Sequence, residues 1–183
     1  MAFPTDTVYG LGASIFNEKA VSRIFEVKQR PLKMALPVLI SGITMLKNIV
    51  KDLPEYALLL AEHFWPGALT MVLLKSDRVP GIVTAGDNTV AVRLPAHPVP
   101  LALIAALGIP IIGTSANLSG KPSPVTAVEV KEQLGDNVDL VIDGGTSPGG
   151  QESTIIDVTS DEPVVLREGP ISLAAIQNIY KVV

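Results

Sequence analysis

The sequence predicts an α/β fold in which helices flank a twisted sheet of mixed parallel and antiparallel strands. Short β-rich segments alternate with helical segments along the chain, which is typical of this class. Several strand candidates are almost continuously apolar, as expected where both faces of a sheet are covered. With 183 residues, 48% of them hydrophobic, the chain can bury a sizeable core, and a single domain over residues 1–183 is the simplest organisation.

The first predicted helix is Glu18–Lys28, because Asn17 can cap its N-terminus and Pro31 ends it. Its apolar residues lie on one face, and Lys28 and Arg30 are expected at the helix exit. The elements that follow are a buried strand at residues 36–40, helical segments at residues 43–50 and 55–64, and strands at residues 69–75 and 89–95.

In the second half of the chain, Pro98–Leu107 is predicted to be helical, with proline at its start and Gly108 past its end. A strand at residues 109–112 then leads into a loop with the sequence GTSAN. Thr126 and Glu129 form a capping box for a helix that ends at Leu134. The remaining predicted elements are strands at residues 140–143, 154–158 and 164–167, and a last helix at residues 172–180.

Charge and composition exclude several classes of function. The 14 Lys and Arg residues against 18 Asp and Glu residues give a net charge of −4, so the strongly basic footprint of a general nucleic-acid binder is absent. The chain has no cysteine, which excludes disulfides and thiolate catalysis and suits a reducing cytoplasm. Its apolar runs are shorter than the roughly 20 residues that cross a bilayer, and no targeting segment is expected before Phe3. We expect a cytoplasmic protein without membrane contact.

Motifs for common nucleotide, metal and hydrolase chemistry are missing. The sequence has no GxxxxGK(S/T) loop, no GxGxxG after a strand, no HExxH or other metal-ligand spacing, and no GxSxG elbow. Three clusters instead combine loop hydroxyls, loop amides and cations, namely residues 4–13 (PTDTVYGLGA), 28–31 (KQRP) and 113–124 (GTSANLSGKPSP). Guanidinium groups bind paired oxygens, and loop N–H groups stabilise negative charge. The clusters therefore predict a site for phosphate and an amino acid.

These clusters, in this order and with these flanks, resemble the YrdC/Sua5 family of threonylcarbamoyl-AMP synthases. The similarity extends through FEVKQRP, FWPGALTMVL, VAVRLPAHP, STIIDV and LREGPIS, and so covers nearly the whole chain. It implies a YrdC-like fold with an abbreviated N-terminal strand and without the C-terminal Sua5 domain of longer members. It also implies that L-threonine, bicarbonate and ATP are condensed to threonylcarbamoyl-AMP and pyrophosphate, for the t6A modification of tRNA.

The resemblance also implies the residues of the site. The implied catalytic residues are those that match Lys-x-Arg and Ser-x-Asn motifs, namely Lys28, Arg30, Ser115 and Asn117. The implied ATP-binding residues are these four together with Thr89, Gly113, Ser123 and Arg167. The implied threonine-binding residues are Thr7, Arg93, Ser115 and Ser153, with Arg93 as the partner of the substrate carboxylate. Mg²⁺ is expected to be held by the phosphates of ATP, and no metal site built from protein side chains is expected.

Two departures from the family pattern lie close to Arg30. Met34 and Ala35 stand where family members usually carry Asn-Pro, and Leu39 stands where some members carry His. A side-chain amide that could touch nucleotide or metal is therefore missing. The threonine pocket is expected to be drier on the side of Leu39.

Other residues that attract attention are given structural roles. Asp6 and Tyr9 are interpreted as holding the first loop through an Asx-type bond and ring packing. His63 and His97 lie at a helix end and a helix start, where a structural or solvated role is expected. Trp65 is expected in the core.

Three functional classes remain open. The leading hypothesis is the ATP-dependent synthase, whose product would pass to tRNA threonylcarbamoyl transferase proteins. A double-stranded RNA-binding module of the same fold is disfavoured by the net charge and by the lack of an aromatic stacking motif, which leaves at most a weak RNA contact. A carbamoyl-handling relative, like the YrdC-type segment of hydrogenase maturation factors, is disfavoured because zinc-finger cysteines are absent.

Overall fold

The computed structural model describes residues 1–182 and arranges them as two β-sheets with flanking helices. The strands are β1 (Ala2–Phe3), β2 (Gly10–Leu11), β3 (Val38–Leu39), β4 (Leu69–Leu74), β5 (Thr89–Arg93), β6 (Ile111–Ile112), β7 (Thr114–Ser115), β8 (Thr154–Asp157) and β9 (Val164–Arg167). The α-helices are α1 (Glu18–Lys28), α2 (Glu55–Phe64), α3 (Pro98–Leu107), α4 (Ala127–Leu134) and α5 (Leu173–Gln177). Short 3-10 helices form at Ile43–Asn48 and Gly135–Asn137. Within residues 1–182, no helix is long and apolar enough to cross a membrane.

The larger sheet has six strands in the order β6-β3-β5-β4-β8-β9. Strand β3 pairs in parallel with β5, and β4 pairs in parallel with β8, whereas the other three pairings are antiparallel. The smaller sheet consists of three antiparallel strands in the order β1-β2-β7. The predicted α/β fold with a mixed parallel and antiparallel sheet is confirmed.

The central strands of the larger sheet are covered on both faces, which explains their apolar sequences. Leu69 and Met71 of β4 and Val92 of β5 have no solvent exposure. They belong to a core cluster whose members extend from Ala2 to Val182. The two ends of the described chain therefore contribute to the same core.

Helix α1 carries Lys28 into the interior of the protein. The side chain of Asn17 caps the helix by accepting a backbone hydrogen bond from the first turn, and Gln29 ends it in a left-handed conformation with φ of 50°. The buried face of the helix consists of residues at positions i, i+3, i+4 and i+7, namely Val21, Ile24, Phe25 and Lys28. Because these positions share one stripe, Lys28 lies at the end of the apolar face rather than on the solvent side.

Some predicted limits are wrong where distant contacts decide the local structure. Residues 140–143 form no regular strand; instead Leu140 and Ile142 each make one backbone hydrogen bond with Ala2, at 2.7 and 2.9 Å. The last helix is shorter than predicted and covers only Leu173–Gln177. Strands β2 and β7 lie in segments where the sequence predicts no regular structure.

Three of the residues that were expected to be structural, Tyr9, Trp65 and His97, have structural roles. The indole of Trp65 is buried and donates to the carbonyl oxygen of Leu69 at 2.7 Å. His97 caps the start of α3 with its imidazole, which accepts a backbone N–H at 3.2 Å. The hydroxyl of Tyr9 donates to the carbonyl oxygen of Gly145 at 2.7 Å and so fixes the first loop.

Candidate active site

A cleft of about 190 Å³ is lined by residues of both sheets. The predicted site residues in its wall are Thr7, Arg30, Arg93, Gly113, Ser115, Ser153 and Arg167. Of three further predicted residues, Lys28 and Ser123 contact residues of this wall, and Asn117 contacts Lys28. The fold therefore gathers nearly all the predicted site residues around one cavity, although they come from distant parts of the sequence.

Lys28 lies behind the cleft and is only 1% exposed. Its ammonium group donates to the backbone carbonyl oxygens of Ser115 and Asn117, the latter at 2.8 Å, and to Asn117 Oδ1 at 3.1 Å. Burial, assisted by the charge of Arg30, lowers the pKa of Lys28 from 10.5 to about 8. An ammonium group has three N–H donors, and all three face acceptors of one loop. Lys28 therefore anchors this loop to the end of α1.

The anchored loop, residues 113–117, is also fixed by its own contacts. The side-chain amide of Asn117 donates to two backbone carbonyl groups further along the chain, at 3.0 and 2.6 Å. Gly113 packs directly on Leu39, and a Cβ atom at this position would lie 2.2 Å from Leu39 Cγ. Only glycine allows so close an approach. The loop therefore presents Ser115 to the cleft in a fixed position.

Arg30 follows α1 and lines the cleft. Its Nε donates to the carbonyl oxygen of Met34 at 3.2 Å, and its Nη2 donates to that of Ala35 at 2.8 Å. The two residues that depart from the family pattern thus hold Arg30 through their backbone, and the Met34 side chain points outward with the residue 44% exposed. Leu39 contributes an apolar surface to the cleft.

Arg93 lies at the end of β5 and is 7% exposed. Its Nε donates to the carbonyl oxygen of Gly67 and its Nη1 to Thr7 Oγ1, both at 2.9 Å. Its Nη2 lies 2.7 Å from Asp6 Oδ1, as an ion pair whose angles are outside hydrogen-bond range. Burial lowers the pKa of Arg93 and outweighs the opposing effect of Asp6. The interpretation of Asp6 as a simple loop residue is wrong, because its carboxylate is the counter-ion of Arg93.

Arg167 contacts both Ser153 and Glu152 in the wall of the cleft. Arg167 donates to the carbonyl oxygen of Ser153 from Nε at 3.0 Å and from Nη2 at 2.8 Å. Its Nη1 pairs with Glu152 Oε2, while the hydroxyl of Ser123 donates to Glu152 Oε1 at 2.9 Å. The hydroxyls of Ser153 and Thr70 are hydrogen-bonded to each other at 2.7 Å. One carboxylate therefore connects two residues of the predicted ATP set.

The charge of Glu152 is favoured by its surroundings. Burial acts to raise the pKa of its carboxyl group, but the charge of Arg167 and the hydrogen bond from Ser123 outweigh burial and lower it. The charge of Lys28 acts in the same direction. Glu152 is therefore an anion at neutral pH within a cationic cleft.

Thr89 does not line the cleft with the other predicted residues. It begins β5, where Thr89, Ala91 and Arg93 share one face because side chains alternate along a strand. Ala91 and Arg93 line the cleft, and Thr89 lies one step further along the same face. Its role as a nucleotide contact stays a prediction.

Sequence reasoning missed the two acidic residues that balance the cations, Asp6 and Glu152, and the hydroxyl of Thr70. Within residues 1–182, no group of three or more Asp, Glu, His or Cys side chains is placed to hold a metal ion. Both acids instead face arginines. The site is thus an array of guanidinium groups, hydroxyls and carboxylates around a partly apolar cavity.

Comparisons with known proteins agree with this arrangement. A family model described as Sua5/YciO/YrdC, telomere recombination, matches residues 1–169. The threonylcarbamoyl-AMP synthase of Pyrococcus abyssi is 49% identical over 179 residues, which cover 98% of this chain and 53% of that protein. The threonylcarbamoyl-AMP synthase of Bacillus subtilis is 47% identical over 180 residues, which cover 98% of this chain and 52% of that protein.

A solved structure of P. abyssi Sua5 complexed with L-threonine is similar over 100% of this chain and 54% of that chain, with a TM-score of 0.96 and 47% identity. The fold and the sequence similarities together show that the chain belongs to the Sua5/YciO/YrdC family. It spans about half the length of the relatives named above.

Proposed function

We propose that the chain condenses L-threonine, bicarbonate and ATP to threonylcarbamoyl-AMP and pyrophosphate. The observation that carries the proposal is a single cleft whose wall holds Thr7, Arg93 and Ser153 of the predicted threonine set beside Arg30 and Arg167 of the predicted ATP set. Relatives that match 98% of the chain are named threonylcarbamoyl-AMP synthase, which supports it. The common core from Ala2 to Val182 supports a single YrdC-like domain as the unit that acts.

The proposed reaction needs no protein nucleophile. The threonine amine adds to CO₂ derived from bicarbonate, which gives a carbamate and releases a proton. A carbamate oxygen then attacks the α-phosphorus of ATP, and pyrophosphate leaves. The protein has to position three reactants and compensate the negative charge that accumulates among them. These two effects can carry most of such a rate enhancement.

Arg93 is the proposed partner of the threonine carboxylate. A guanidinium group has five N–H donors, and the hydrogen bonds of Arg93 to Gly67 and Thr7 engage one on Nε and one on Nη1, whereas Nη2 faces Asp6 only as an ion pair. At least one N–H therefore remains on each terminal nitrogen for a paired contact with carboxylate oxygens. The hydroxyls of Thr7 and Ser153 are proposed to contact the amine or the hydroxyl of threonine.

The phosphates of ATP are proposed to bind Arg30, Arg167, Ser115 and Ser123. Lys28, Gly113 and Asn117 are proposed to act through the loop whose position they fix, and Thr89 is proposed as a peripheral nucleotide contact. Magnesium is proposed to accompany ATP. Phosphate oxygens and water are its proposed ligands, because Mg²⁺ commonly keeps several waters when it binds with substrate phosphates.

The decisive experiment measures pyrophosphate release from ATP with and without L-threonine and bicarbonate. Release should require both, and Arg30→Met should lower kcat/KM by about 10² to 10³, as loss of a preorganised donor does elsewhere. Arg23→Met is the matched control, because Arg23 pairs only with the exposed Glu26 at 3.3 Å. If no condition gives release while the protein binds RNA in a salt-sensitive manner, the synthase proposal is wrong and the RNA-binding module is favoured.

The product is a mixed anhydride of a carbamate and a phosphate, and such an anhydride is reactive toward amines and water. We propose that tRNA threonylcarbamoyl transferase proteins in the cytoplasm consume it for the t6A modification. A net charge of −4 supports at most a weak direct contact between this chain and RNA.

A further inference from the structure

Glu152 engages donors that the proposed function assigns to ATP. The hydroxyl of Ser123 donates to its Oε1 at 2.9 Å, and Nη1 of Arg167 pairs with its Oε2. The Glu152 side chain is 36% exposed and lies in the wall of the cleft. A protein carboxylate thus lies where these donors would otherwise meet an anionic group of the nucleotide.

These donors cannot serve Glu152 and a phosphate group equally well. A serine hydroxyl has one hydrogen, so Ser123 donates either to the carboxylate or to a phosphate oxygen. Arg167 already directs two nitrogens to the carbonyl oxygen of Ser153, which leaves Nη1 as the nitrogen that points at Glu152. A phosphate group bound here would also lie close to a like charge, which opposes its binding.

We propose that Glu152 is a resident counter-ion that competes with the phosphates of ATP for Arg167 and Ser123, and that nucleotide binding separates it from them. The inference rests on the proposed function. In this role Glu152 is a positioning residue, because it holds Arg167 beside the cleft and limits the affinity for phosphate. It therefore weakens the binding of both ATP and pyrophosphate, and it speeds the release of pyrophosphate.

The test compares the binding of inorganic pyrophosphate and of ATP to the unaltered chain, Glu152→Gln and Asp77→Asn by calorimetry at constant ionic strength. Glutamine keeps the shape of the side chain and removes its charge, so Glu152→Gln should bind pyrophosphate about threefold to tenfold more tightly. Asp77→Asn makes the same change of charge at a carboxylate that is 96% exposed and outside the cleft, and should change affinity by less than about twofold.

Kinetics add a readout that a purely structural role would not change in this direction. With Glu152→Gln, KM for ATP and kcat should both fall, because tighter pyrophosphate binding slows product release. Ser123→Ala should have the opposite effect on pyrophosphate affinity, because it removes a donor that the phosphate is proposed to use. Equal or weaker pyrophosphate binding by folded Glu152→Gln would overturn the inference while leaving the synthase proposal intact.

A second measurement does not depend on a variant. A crystal structure of the unaltered chain with pyrophosphate should place Glu152 Oε2 beyond ion-pair distance of Arg167 Nη1, whereas a retained pair would overturn the inference. Failure of the unaltered chain to bind ATP would overturn the synthase proposal itself, and the two failures are therefore distinguishable.

Discussion

Replacing Arg93 by methionine tests how far the buried ion pair supports the fold. Methionine keeps much of the apolar stem but removes the guanidinium group. The change leaves the carboxylate of Asp6, whose side chain is 15% exposed, without its counter-ion. It also leaves the carbonyl oxygen of Gly67 and the hydroxyl of Thr7 without their donor. The result is an uncompensated charge in a poorly solvated place, which is costly.

Breaking a buried ion pair by removing one partner costs about 3–5 kcal/mol, and we expect this loss in the free energy of unfolding. In a chain of this size each kcal/mol lowers Tm by about 2–4 °C, so Tm should fall by about 6–20 °C. Domains typically have a free energy of unfolding of about 5–15 kcal/mol. Over most of that range, the Arg93→Met variant should still be folded at room temperature. Urea unfolding and thermal melting followed by circular dichroism measure both quantities.

Two controls separate the buried pair from a general charge effect. Asp6→Asn added to Arg93→Met removes the stranded carboxylate and should restore at least about 1 kcal/mol of stability. Lys51→Met removes the exposed pair of Lys51 with Asp77, whose atoms are 3.8 Å apart, and should cost less than about 1 kcal/mol. A loss of under about 1 kcal/mol for Arg93→Met, or no recovery in the double variant, would refute this reasoning.

Three further predictions concern packing, protonation and specificity. Gly113→Ala should lower the free energy of unfolding by about 1–3 kcal/mol in urea, because its Cβ would clash with Leu39. In a chain that already carries Leu39→Ala, the same change should cost less. An equal cost in both chains would contradict the contact. Because the pKa of Lys28 is about 8 in the folded chain and 10.5 as its ordinary value, the unfolded chain holds the extra proton between these values. The free energy of unfolding of the unaltered chain should therefore rise relative to that of Lys28→Met by up to about 3 kcal/mol from pH 8 to pH 10.5. If the difference between the two chains is constant over this range, the lowered pKa of Lys28 is wrong. For specificity, kcat/KM should be higher for serine than for valine, because the rejection of serine depends on one methyl group worth about 1–3 kcal/mol. Comparable turnover of valine and threonine would contradict the proposed pocket.

Elements whose limits are encoded locally could be predicted from the sequence. The helices Glu18–Lys28 and Pro98–Leu107 have the predicted bounds because a capping side chain begins each one, and Gly108 ends the second in a left-handed conformation. The strand Gly10–Leu11 could not be predicted, because it exists through pairing with Ala2–Phe3 on one side and with the distant segment Thr114–Ser115 on the other. No local sequence pattern indicates such a partner, and two residues are too few to show the alternation that is typical of a strand.

The residues of the site likewise fall into those that could be predicted from the sequence and those that could not. Cations and hydroxyls in short motifs could be recognised, but Asp6 and Glu152 become part of the site only when the fold brings arginines of β5 and β9 against them. The sequence held one unused signal. Each acid directly precedes a residue of the predicted threonine set, Asp6 before Thr7 and Glu152 before Ser153. From the sequence, Asp6 is interpreted only as a loop residue and Glu152 has no assigned role, because nothing in the local sequence shows that an arginine of a distant strand will face each carboxylate.

The cations of the cleft are held by two kinds of partner, and the difference matters for binding. Lys28 and Arg30 are fixed by backbone carbonyl oxygens, which set the position of a cation without cancelling its charge. Arg93 and Arg167 face carboxylates, which cancel part of their charge, and only the Arg167–Glu152 pair is proposed to be exchangeable. Two carboxylates against four cations leave an excess of positive charge. In the proposed function, this excess is the feature that favours an anionic nucleotide, and the Arg167–Glu152 pair is the proposed limit on the affinity for pyrophosphate.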